Sequence, residues 1–464
     1  MLRLRVPSVA AALLMVATML AACGSSGKKA AAPTTAAPTT AAPSAATSTS
    51  VAPAALTASF RGVTATSIKV GIVTIDYKCI QQFVDYNFGN QPAIDQVLIN
   101  NLNNHGGILG RKIDPVFRSY CPIGNSQALT VCTSYTEDDK VFAVLGVFYD
   151  TTGDAQLCLS RDHQTILLGH ELLDQWISKS PPGLMVTPDI TAERRSTVLL
   201  NLLKSSGTLT GKKVATLADQ DSAASVTSVI KPGLDAMGVS QGSAAVLTVT
   251  GSDTSAAQAQ LDSFIEKWKG EGVNGLILAG LNVSSEQFVN KIKKAMPDLL
   301  LMTDGESSAQ QGGEDDTAAK MNPNPYDGML TANGLTDLEQ WQGAWLQQCV
   351  KTYQDNGGQT VIGPDKIQPG PDGKRVLVWS AVRDFCSELS MFQQIAEKAG
   401  PNLTNATWTQ AVNNYGEITL EPPFASVHTG KYDAEDAFRL VSFDPTLGPK
   451  GDFKALGPLL DASK

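Results

Sequence analysis

The sequence has none of the short motifs that would indicate an enzyme. It contains no G-x-S-x-G, no phosphate-binding loop and no G-x-G-x-x-G. Only four histidines are present, and none belongs to an H-E-x-x-H pair that could bind zinc. The absence of any C-x-x-C pair argues against a zinc ribbon or a thioredoxin-like centre. We therefore expect no enzyme activity, no metal and no cofactor.

Positive charge and long apolar runs are also scarce. Lys and Arg number 36 against 45 Asp and Glu, which gives a formal net charge of −9. An acidic surface of this kind argues against binding to nucleic acid and against a polybasic membrane contact. No apolar run after residue 23 approaches the roughly 20 residues that a membrane-spanning helix needs.

Residues 1–22 have the pattern of a secretory signal peptide. Arg3 and Arg5 form a basic start, and a short apolar stretch follows at 9–20. Two alanines then precede Cys23. This Leu-Ala-Ala-Cys run resembles the lipobox of bacterial lipoproteins, in which the cysteine becomes the acylated N-terminus. We therefore expect a lipid on Cys23; the alternative is an ordinary signal peptide that contains a cysteine.

The following segment, 23–64, is rich in Ala, Pro, Thr and Ser and has few large apolar side chains. Such a composition cannot bury enough surface to offset the entropy of ordering, so we expect a disordered linker. Its prolines favour an extended polyproline II conformation. With its lipid, the linker would tether an exported globular domain to the outer face of a bacterial cytoplasmic membrane.

Seven cysteines divide into Cys23 and six others. An even number in an exported chain favours disulfide bonds, and six cysteines allow 15 pairings. The alternative is a set of free, buried thiols. The six are Cys79, Cys121, Cys132, Cys158, Cys349 and Cys386.

The remaining residues, roughly 400 of them, alternate between strand and helix patterns. Apolar, β-branched runs such as 67–74 and 141–148 predict buried strands, and the spacing of apolar residues in 92–102 predicts a helix. Such alternation is typical of βαβ units on parallel sheets. The pattern restarts after Pro188, and a chain of this length exceeds a single hydrophobic core. We therefore predict an α/β protein with two doubly wound lobes.

One motif resembles a known family. Residues 104–113 read Asn-His-Gly-Gly-Ile-Leu-Gly-Arg-Lys-Ile, with a helix ending at glycines before a strand. This run resembles the first βαβ unit of the type I periplasmic binding proteins, especially those of branched-chain amino-acid ABC transporters. Residues 138–146 are similar to the same family's approach to its third strand. The resemblance covers the chain from about residue 65 to about residue 445.

The resemblance implies two Rossmann-like lobes that are joined by three crossovers and close on a small ligand. The crossovers are expected near 185–188, 328–332 and 422–427. The N-terminal lobe would be 65–187 with 333–423, and the C-terminal lobe 188–332 with 424–464. The implied topology also suggests three disulfide pairings as hypotheses: Cys79–Cys121, Cys132–Cys158 and Cys349–Cys386.

Open α/β sheets bind ligands beyond the carboxyl ends of their strands, often at helix N-termini. This rule selects 149–153, which follow the third predicted strand. The resemblance implies that Thr151 and Thr152 hold a ligand carboxylate there. The alternative is that both threonines only cap the following helix.

The resemblance implies further ligand contacts at other strand ends. Glu306 matches the position of a carboxylate that contacts the ligand's ammonium group, unless it is an ordinary surface-loop acid. Asp219 and Asn282 end strands of the second lobe. Tyr77 follows the first strand and could form an aromatic wall, although tyrosines are common in such loops.

The pair His170-Glu171 departs from the family pattern, which has small or hydroxyl residues after the fourth strand. The departure indicates either an altered ligand or a pair that packs against the hinge.

Taken with the family, these residues predict a solute-binding protein. A monomeric, lipid-anchored receptor would capture a small polar ligand, such as an amino acid, and deliver it to an ABC permease. Two alternatives stay open at this stage. One is a sensor in which the same closure signals to a partner, and the other is an envelope lipoprotein whose cleft has lost its ligand.

Overall fold

The computed structural model of the chain describes residues 56–82, 84, 86–149, 152–248, 255–368, 370–371 and 373–463. The predicted signal peptide, Cys23 with its predicted lipid, most of the linker and Thr151 lie outside the described residues. Among the helices that are described, none combines the length and the apolar character that crossing a bilayer demands.

Most strands are short and apolar, as the β-branched runs of the sequence predict. In chain order they are β1 (Ser67–Ile75), β2 (Tyr86–Asn87), β3 (Lys112–Tyr120), β4 (Ala143–Gly146), β5 (Ile166–Leu168), β6 (Met185–Val186), β7 (Lys213–Asp219), β8 (Ser240–Leu247), β9 (Gly275–Ala279), β10 (Leu300–Thr303), β11 (Leu330–Asn333), β12 (Arg375–Val376), β13 (Gly416–Glu417), β14 (Ser426–Val427), β15 (Ala437–Asp444), β16 (Asp452–Ala455) and β17 (Leu460–Asp461).

Helices separate most of these strands. They are α1 (Tyr77–Ile80), α2 (Gln91–Asn104), α3 (Ser126–Thr133), α4 (Asp154–Leu157), α5 (Asp174–Ile177), α6 (Ala192–Ser205), α7 (Ala223–Ser225), α8 (Lys231–Ala236), α9 (Ser255–Glu271), α10 (Glu286–Ala295), α11 (Glu306–Ala318), α12 (Asp337–Gln342), α13 (Ala344–Asp355), α14 (Val378–Ala399) and α15 (Asn405–Asn413). π-helical turns extend α3 and α4 and join α7 to α8.

The strands form two principal sheets. The first has the order β3-β1-β4-β5-β6, and all of its pairs are parallel. The second has the order β16-β15-β11-β10-β9-β7-β8, with β17 beside β15. Its strands from β7 to β11 are parallel, whereas β15 runs antiparallel to β11. The start of β15 therefore lies at the edge where the parallel strands have their carboxyl ends.

Apolar side chains cover both faces of each sheet. One cluster on the first sheet joins β1 and β4 to α2, α13, α14 and α15, with Trp408 fully buried; the other joins the same sheet to α3 and α5. Two further clusters sandwich the second sheet, one with α9 and α10 and one with α6. This arrangement confirms the predicted α/β class with two doubly wound sheets. The exact lobe boundaries and the crossover positions stay predictions.

The glycine motif at 104–113 forms the turn between α2 and β3. Gly107 has a φ of +64°, and a Cβ there would lie 2.0 Å from the Arg111 carbonyl oxygen. Arg111 is only 1% exposed, and its guanidinium donates hydrogen bonds to the carbonyl oxygens of Thr64 and Pro401. The motif therefore fastens distant segments together, and its role is in the fold rather than in ligand contact.

The six cysteines form the three disulfides that the implied topology suggested. The bonds are Cys79–Cys121, Cys132–Cys158 and Cys349–Cys386. The side chains of four of these cysteines pack against the apolar clusters of the first sheet.

Some predicted elements differ in detail. The sequence predicts one helix over 337–353, but the segment forms two, because Gly343 adopts an extended backbone between them. It also predicts a helix over about 153–161, where only four residues are α-helical before a π-helical turn. The helix that begins at Glu306 lacks the apolar stripe by which helices are recognised, and the sequence did not predict it.

Candidate ligand cleft

Charged side chains that follow strands of both sheets lie within electrostatic reach of one another. Glu306 begins α11 after β10 of the second sheet, and its neighbours include Glu171, which follows β5 of the first sheet, and Arg383 of α14. We call the space between these groups the cleft. Eight acidic side chains lie around it, and we call them the cleft carboxyls: Glu171, Asp189, Glu306, Asp337, Asp384, Glu388, Glu421 and Glu435.

His170 is held between two of these carboxyls. Its Nδ1 lies 2.6 Å from Asp189 Oδ2, and its Nε2 lies 3.0 Å from Glu388 Oε1. Burial by itself would lower the pKa of the imidazole, but Asp189 and Glu388 raise it well above the ordinary value. The ring is therefore a cation that links β5, the segment after β6, and α14. Because protein carboxylates lie beside both ring nitrogens, the geometry favours the packing alternative for His170.

Glu171 differs from its neighbour in being open to water. Its residue is exposed, and its backbone φ is +56°, a left-handed conformation that is uncommon for residues other than glycine. The surrounding protein raises the pKa of the Glu171 carboxyl, although Arg195 opposes this effect. Water can therefore reach Glu171, although protein surrounds much of it. The wall of a concave site requires such side chains.

Arg195, in the first turn of α6, lies beside several acids. Its Nη1 is 3.8 Å from Glu306 Oε2, and the same carboxylate accepts a hydrogen bond of 2.8 Å from Asn333 Nδ2. Burial would lower the pKa of Arg195, but Glu306, Glu435 and Glu171 raise it. Burial in turn raises the pKa of Glu306 despite Arg195 and Arg383. Arg195 thus lies beside Glu306 and within electrostatic reach of Glu435 and Glu171.

Arg383 has the same role on the other side of the cleft. Its Nε donates a hydrogen bond of 2.8 Å to Asp384 Oδ1, and a second donor nitrogen bonds the Gln340 side chain. Its guanidinium lies over the Trp379 ring at 5.2 Å from the centroid. Burial opposes its charge, but Asp384, Glu421 and Asp337 raise its pKa.

Three cleft carboxyls are protonated to a large extent near neutral pH. Burial raises the pKa of Asp337 and of Glu421 to about 7, although Arg383 opposes this in both cases. Burial likewise raises the pKa of Glu435 to about 8, despite Arg195. Such shifts occur when a carboxylate loses water without gaining a cation of its own.

Aromatic rings form a wall next to these acids. The Tyr77 ring lies 5.9 Å from that of Tyr86 and 5.2 Å from that of Phe88, between centroids. Tyr149 as a whole residue is 39% exposed. The protein around its phenol displaces water and so raises the pKa of the phenol, and Tyr77, Tyr86 and Glu171 add to the shift. The predicted wall residue Tyr77 therefore belongs to a larger aromatic group.

The predicted carboxylate-binding end has a different environment. Thr152 is exposed, and its Oγ1 accepts hydrogen bonds from Asn125 Nδ2 at 2.9 Å and from the Asp154 N–H at 3.3 Å. The helix that follows is only four residues long and has the acidic Asp154 in its first turn. A carboxylate bound there would face that negative charge rather than a long helix dipole.

Asp219 and Asn282 are bonded to each other rather than to the cleft carboxyls. Asp219 is 4% exposed and accepts hydrogen bonds from the backbone N–H groups of Ser222, at 3.0 Å, and Asn282, at 3.3 Å. It therefore ties the end of β7 to the loop after β9. Asn282 itself is exposed.

The comparisons with known proteins rest on structure. No family model and no curated protein sequence matches the chain. The chain is similar to a solute-binding protein of an ABC transporter from Rhodopseudomonas palustris BisB5, solved with 3,4-dihydroxybenzoic acid. The identity is 14%, the TM-score is 0.58, and the match covers 85% of this chain and 98% of that one.

Two further solved structures are similar. One is a fatty acid ABC transporter substrate-binding protein from Thermomonospora curvata, with 15% identity, a TM-score of 0.59 and coverage of 86% and 94%. The other is the branched-chain amino acid transporter substrate-binding protein LivJ from Streptococcus pneumoniae, solved with isoleucine, with 13% identity, a TM-score of 0.55 and coverage of 85% and 100%.

The chain has the fold of the type I periplasmic binding proteins. The likeness confirms the resemblance that the glycine motif carried. At these identities it establishes the fold alone, so arguments about the ligand depend on this chain's own residues.

Within this type I binding-protein fold, the structure brings Tyr77, His170, Glu171 and Glu306 close to the cleft, whereas Asp219 and Asn282 hold a loop of the second sheet. The sequence analysis missed Asp189, Arg195 and Glu435. Asp189 follows β6 and Arg195 lies in the first turn of α6, so the strand-end rule could have found these two. Glu435 precedes β15, and the rule does not select it. It also missed Arg383, Asp384 and Glu388, which lie within the long helix α14.

Proposed function

We propose that the chain is an extracytoplasmic solute-binding lipoprotein that captures a small polar ligand in the cleft and delivers it to an ABC permease. The observation that carries this proposal is the convergence of charged and aromatic side chains from both sheets on one space. Solved proteins of the same fold are named as transporter solute-binding proteins, and their ligands range from aromatic acids to isoleucine. No cofactor takes part.

The mechanism that we propose is hinge closure. A ligand that touches both lobes binds the closed form more tightly than the open form, so it shifts the population towards closure. Contacts already cross between elements beside the first sheet and helices that pack on the second. Arg375 Nη1 lies 2.8 Å from Glu314 Oε2, and the Glu193 carboxylate accepts a hydrogen bond of 2.8 Å from the Asp174 N–H. Ligand binding would add to these contacts.

The lipid on Cys23 would keep the receptor close to its permease and raise the local concentration of receptor at the membrane. Growth of bacteria that express the chain with labelled palmitate tests this part. Label is expected on the wild-type protein and is expected to be absent from Cys23→Ser. Equal labelling of both would contradict the lipoprotein assignment.

A thermal-shift screen tests solute binding itself. The full chain, purified in detergent, is heated with amino acids, amides, amines, aromatic acids and fatty acids. A ligand at 100 times its Kd stabilises a protein by about 2.7 kcal/mol, which such a screen detects. Small-angle scattering with a stabilising solute should then show a smaller radius of gyration. If no solute from any class raises the melting temperature, the cleft does not function as a receptor site.

A further inference from the structure

Carboxyl groups outnumber basic groups around the cleft. Among the described residues, the eight cleft carboxyls face four basic side chains, His170, Arg194, Arg195 and Arg383. His170 contacts two of the acids, Arg383 is hydrogen-bonded to Asp384, and Arg195 lies beside Glu306. Each of these three basic groups therefore lies beside at least one protein carboxylate. Because carboxyls remain in excess, the cleft favours positive charge in a ligand.

One of these acids also has an oxygen without a partner. Glu421 Oε1 is inaccessible to water and has no hydrogen-bond donor within the described part of the chain. A buried acceptor of this kind is costly, and because water cannot reach it in this form, an outside donor can meet it only if the surrounding side chains move as the ligand binds. An ammonium or guanidinium group has the donors that this oxygen lacks.

The aromatic wall provides a second, independent indication. Tyr149 presents an exposed ring, and both Tyr149 and Tyr77 lie within electrostatic reach of Asp384. Aromatic faces attract organic cations, and combinations of rings with acids recognise substituted ammonium groups. A ligand that spreads its positive charge over C–H and N–H groups can use the rings and the carboxylates together.

A metal ion fits the same residues less well. No grouping of His, Cys, Asp and Glu that could hold a metal ion occurs within the described ranges. The carboxyls are distributed around the cleft rather than gathered at one point, and a hard cation would gain little from the tyrosine rings.

We infer that the cleft takes a small organic cation, with ammonium or guanidinium groups and no free carboxylate. This inference rests on the proposed solute-binding function and names the ligand class. It departs from the amino-acid ligand expected from the sequence, because the carboxylate of a zwitterion would face the excess of acids and, at the Thr152 end, Asp154.

Isothermal titration calorimetry on the full chain in detergent tests the inference. The cationic probes are putrescine, agmatine and tetramethylammonium, and the comparison probes are leucine and 4-hydroxybenzoate. Binding is expected for at least one cation and for neither comparison probe. The affinity for the cation should fall as sodium chloride is raised, because salt screens the attraction of the carboxylates.

Two variants connect binding to the cleft. Glu171→Gln and Glu435→Gln each keep the shape of the side chain. The first removes a carboxylate, the second removes a carboxyl that a bound cation would ionise, and each should weaken binding of the cation by about tenfold or more. Asp138→Asn removes the same charge from an exposed residue of the π-helical turn before β4, and should leave the affinity unchanged. Melting curves of all three check that they fold.

The outcomes separate the two proposals. If leucine or 4-hydroxybenzoate binds and the cations do not, the inference is wrong and the solute-binding function stands. If cations bind equally well to wild type and to both glutamine variants, the binding is to the acidic surface in general, which also overturns the inference. If neither these probes nor the broader screen gives a ligand, the solute-binding function fails as well.

Discussion

Two buried groups of charges in this molecule differ in their balance. In the segment that joins the sheets, Arg194 Nη1 lies 2.9 Å from Asp433 Oδ2 and also pairs with Asp436. Lys431 Nζ lies 3.1 Å from Asp436 Oδ1 and 3.6 Å from Asp433 Oδ1. Both aspartates are almost fully buried, at 3% and 1% exposure. Two cations thus meet two anions, and the group is complete within the protein.

The cleft has the opposite character. Its carboxyls outnumber its cations, and burial raises the pKa of Asp337, Glu421 and Glu435 to about 7 or 8. A protein that pairs its buried charges in one place can also pair them in another. We therefore interpret the imbalance as a deficit that a ligand completes, and each prediction below alters one side of the comparison.

The largest effect is expected in the balanced group. Asp436→Ala leaves Arg194 and Lys431 with one shared acid, Asp433, instead of two in a buried site, which should lower the free energy of unfolding by about 3–5 kcal/mol. Urea denaturation of the full chain at pH 7 measures this. Glu266→Ala is the control, because its ion pair with Lys269 is exposed, and no measurable change is expected. A loss below about 1 kcal/mol for Asp436→Ala would argue against the contrast.

In the cleft, removal of an acid should stabilise the protein instead of destabilising it. The pKa of Glu435 is about 8 in the folded protein and close to 4.3 in an unfolded chain, so the folded state binds more protons between these values. Stability therefore falls as the pH rises from about 4 to about 8. Glu435→Gln removes this dependence and should stabilise the protein at pH 8 by on the order of 1–2 kcal/mol, since the side chain keeps some contact with water.

Urea denaturation at several pH values from 5 to 8.5 would measure that gain. The groups that face Glu435 are Arg194, Arg195, Asp189 and Glu306, and the variant leaves them intact. If Glu435→Gln were less stable than wild type at pH 8, the neighbours of the Glu435 carboxylate would stabilise it in the folded protein, and burial would not destabilise it.

The affinity for a cationic ligand should also depend on pH. A cation favours the ionised forms of Asp337 and Glu421, whose pKa values are about 7, so binding should release protons and tighten between pH 6 and pH 8 by about tenfold. Calorimetry at pH 7 in two buffers with different ionisation enthalpies counts the protons. The charged neighbours are Arg383, Glu314, Glu306 and Asp452 for Asp337, and Arg383 and Asp384 for Glu421. An affinity that does not change with pH, together with no release of protons, would contradict this prediction.

The smallest effect is expected at the predicted carboxylate end. Thr152→Ala removes an exposed hydroxyl that accepts hydrogen bonds from Asn125 and Asp154, and should change the affinity for a cation by less than about twofold. Titration of the same cation into wild type and variant provides the measurement. A loss of tenfold or more would mean that the ligand extends to Thr152 and would restore the amino-acid hypothesis.

The fold was predictable because its signals are local. The βαβ alternation follows from apolar runs and helical spacing, and the turn at Gly107 needs a residue that tolerates a φ of +64°. The helix at Glu306 was missed because its polar sequence has no apolar stripe.

The cleft was predictable only where the strand-end rule applies, as for Glu171 and Glu306. Helical spacing identifies the buried face of α14, but not which of its charged residues reach another lobe, so Arg383 and Glu388 gave no signal. Glu435 was missed for a different reason. Its strand is recognisable, but the antiparallel direction that brings its start to the cleft depends on long-range pairing.

The disulfides have a consequence for how the protein comes apart. All three lie among elements that surround the five-stranded sheet, and none of the described cysteines lies in the eight-stranded sheet or its helices. One half of the molecule is thus cross-linked, while the other half depends on packing alone. Protein made in a reducing cytoplasm would lack these links in one half only, so reductant should make the half with the five-stranded sheet accessible to proteases earlier and leave the other half unaffected.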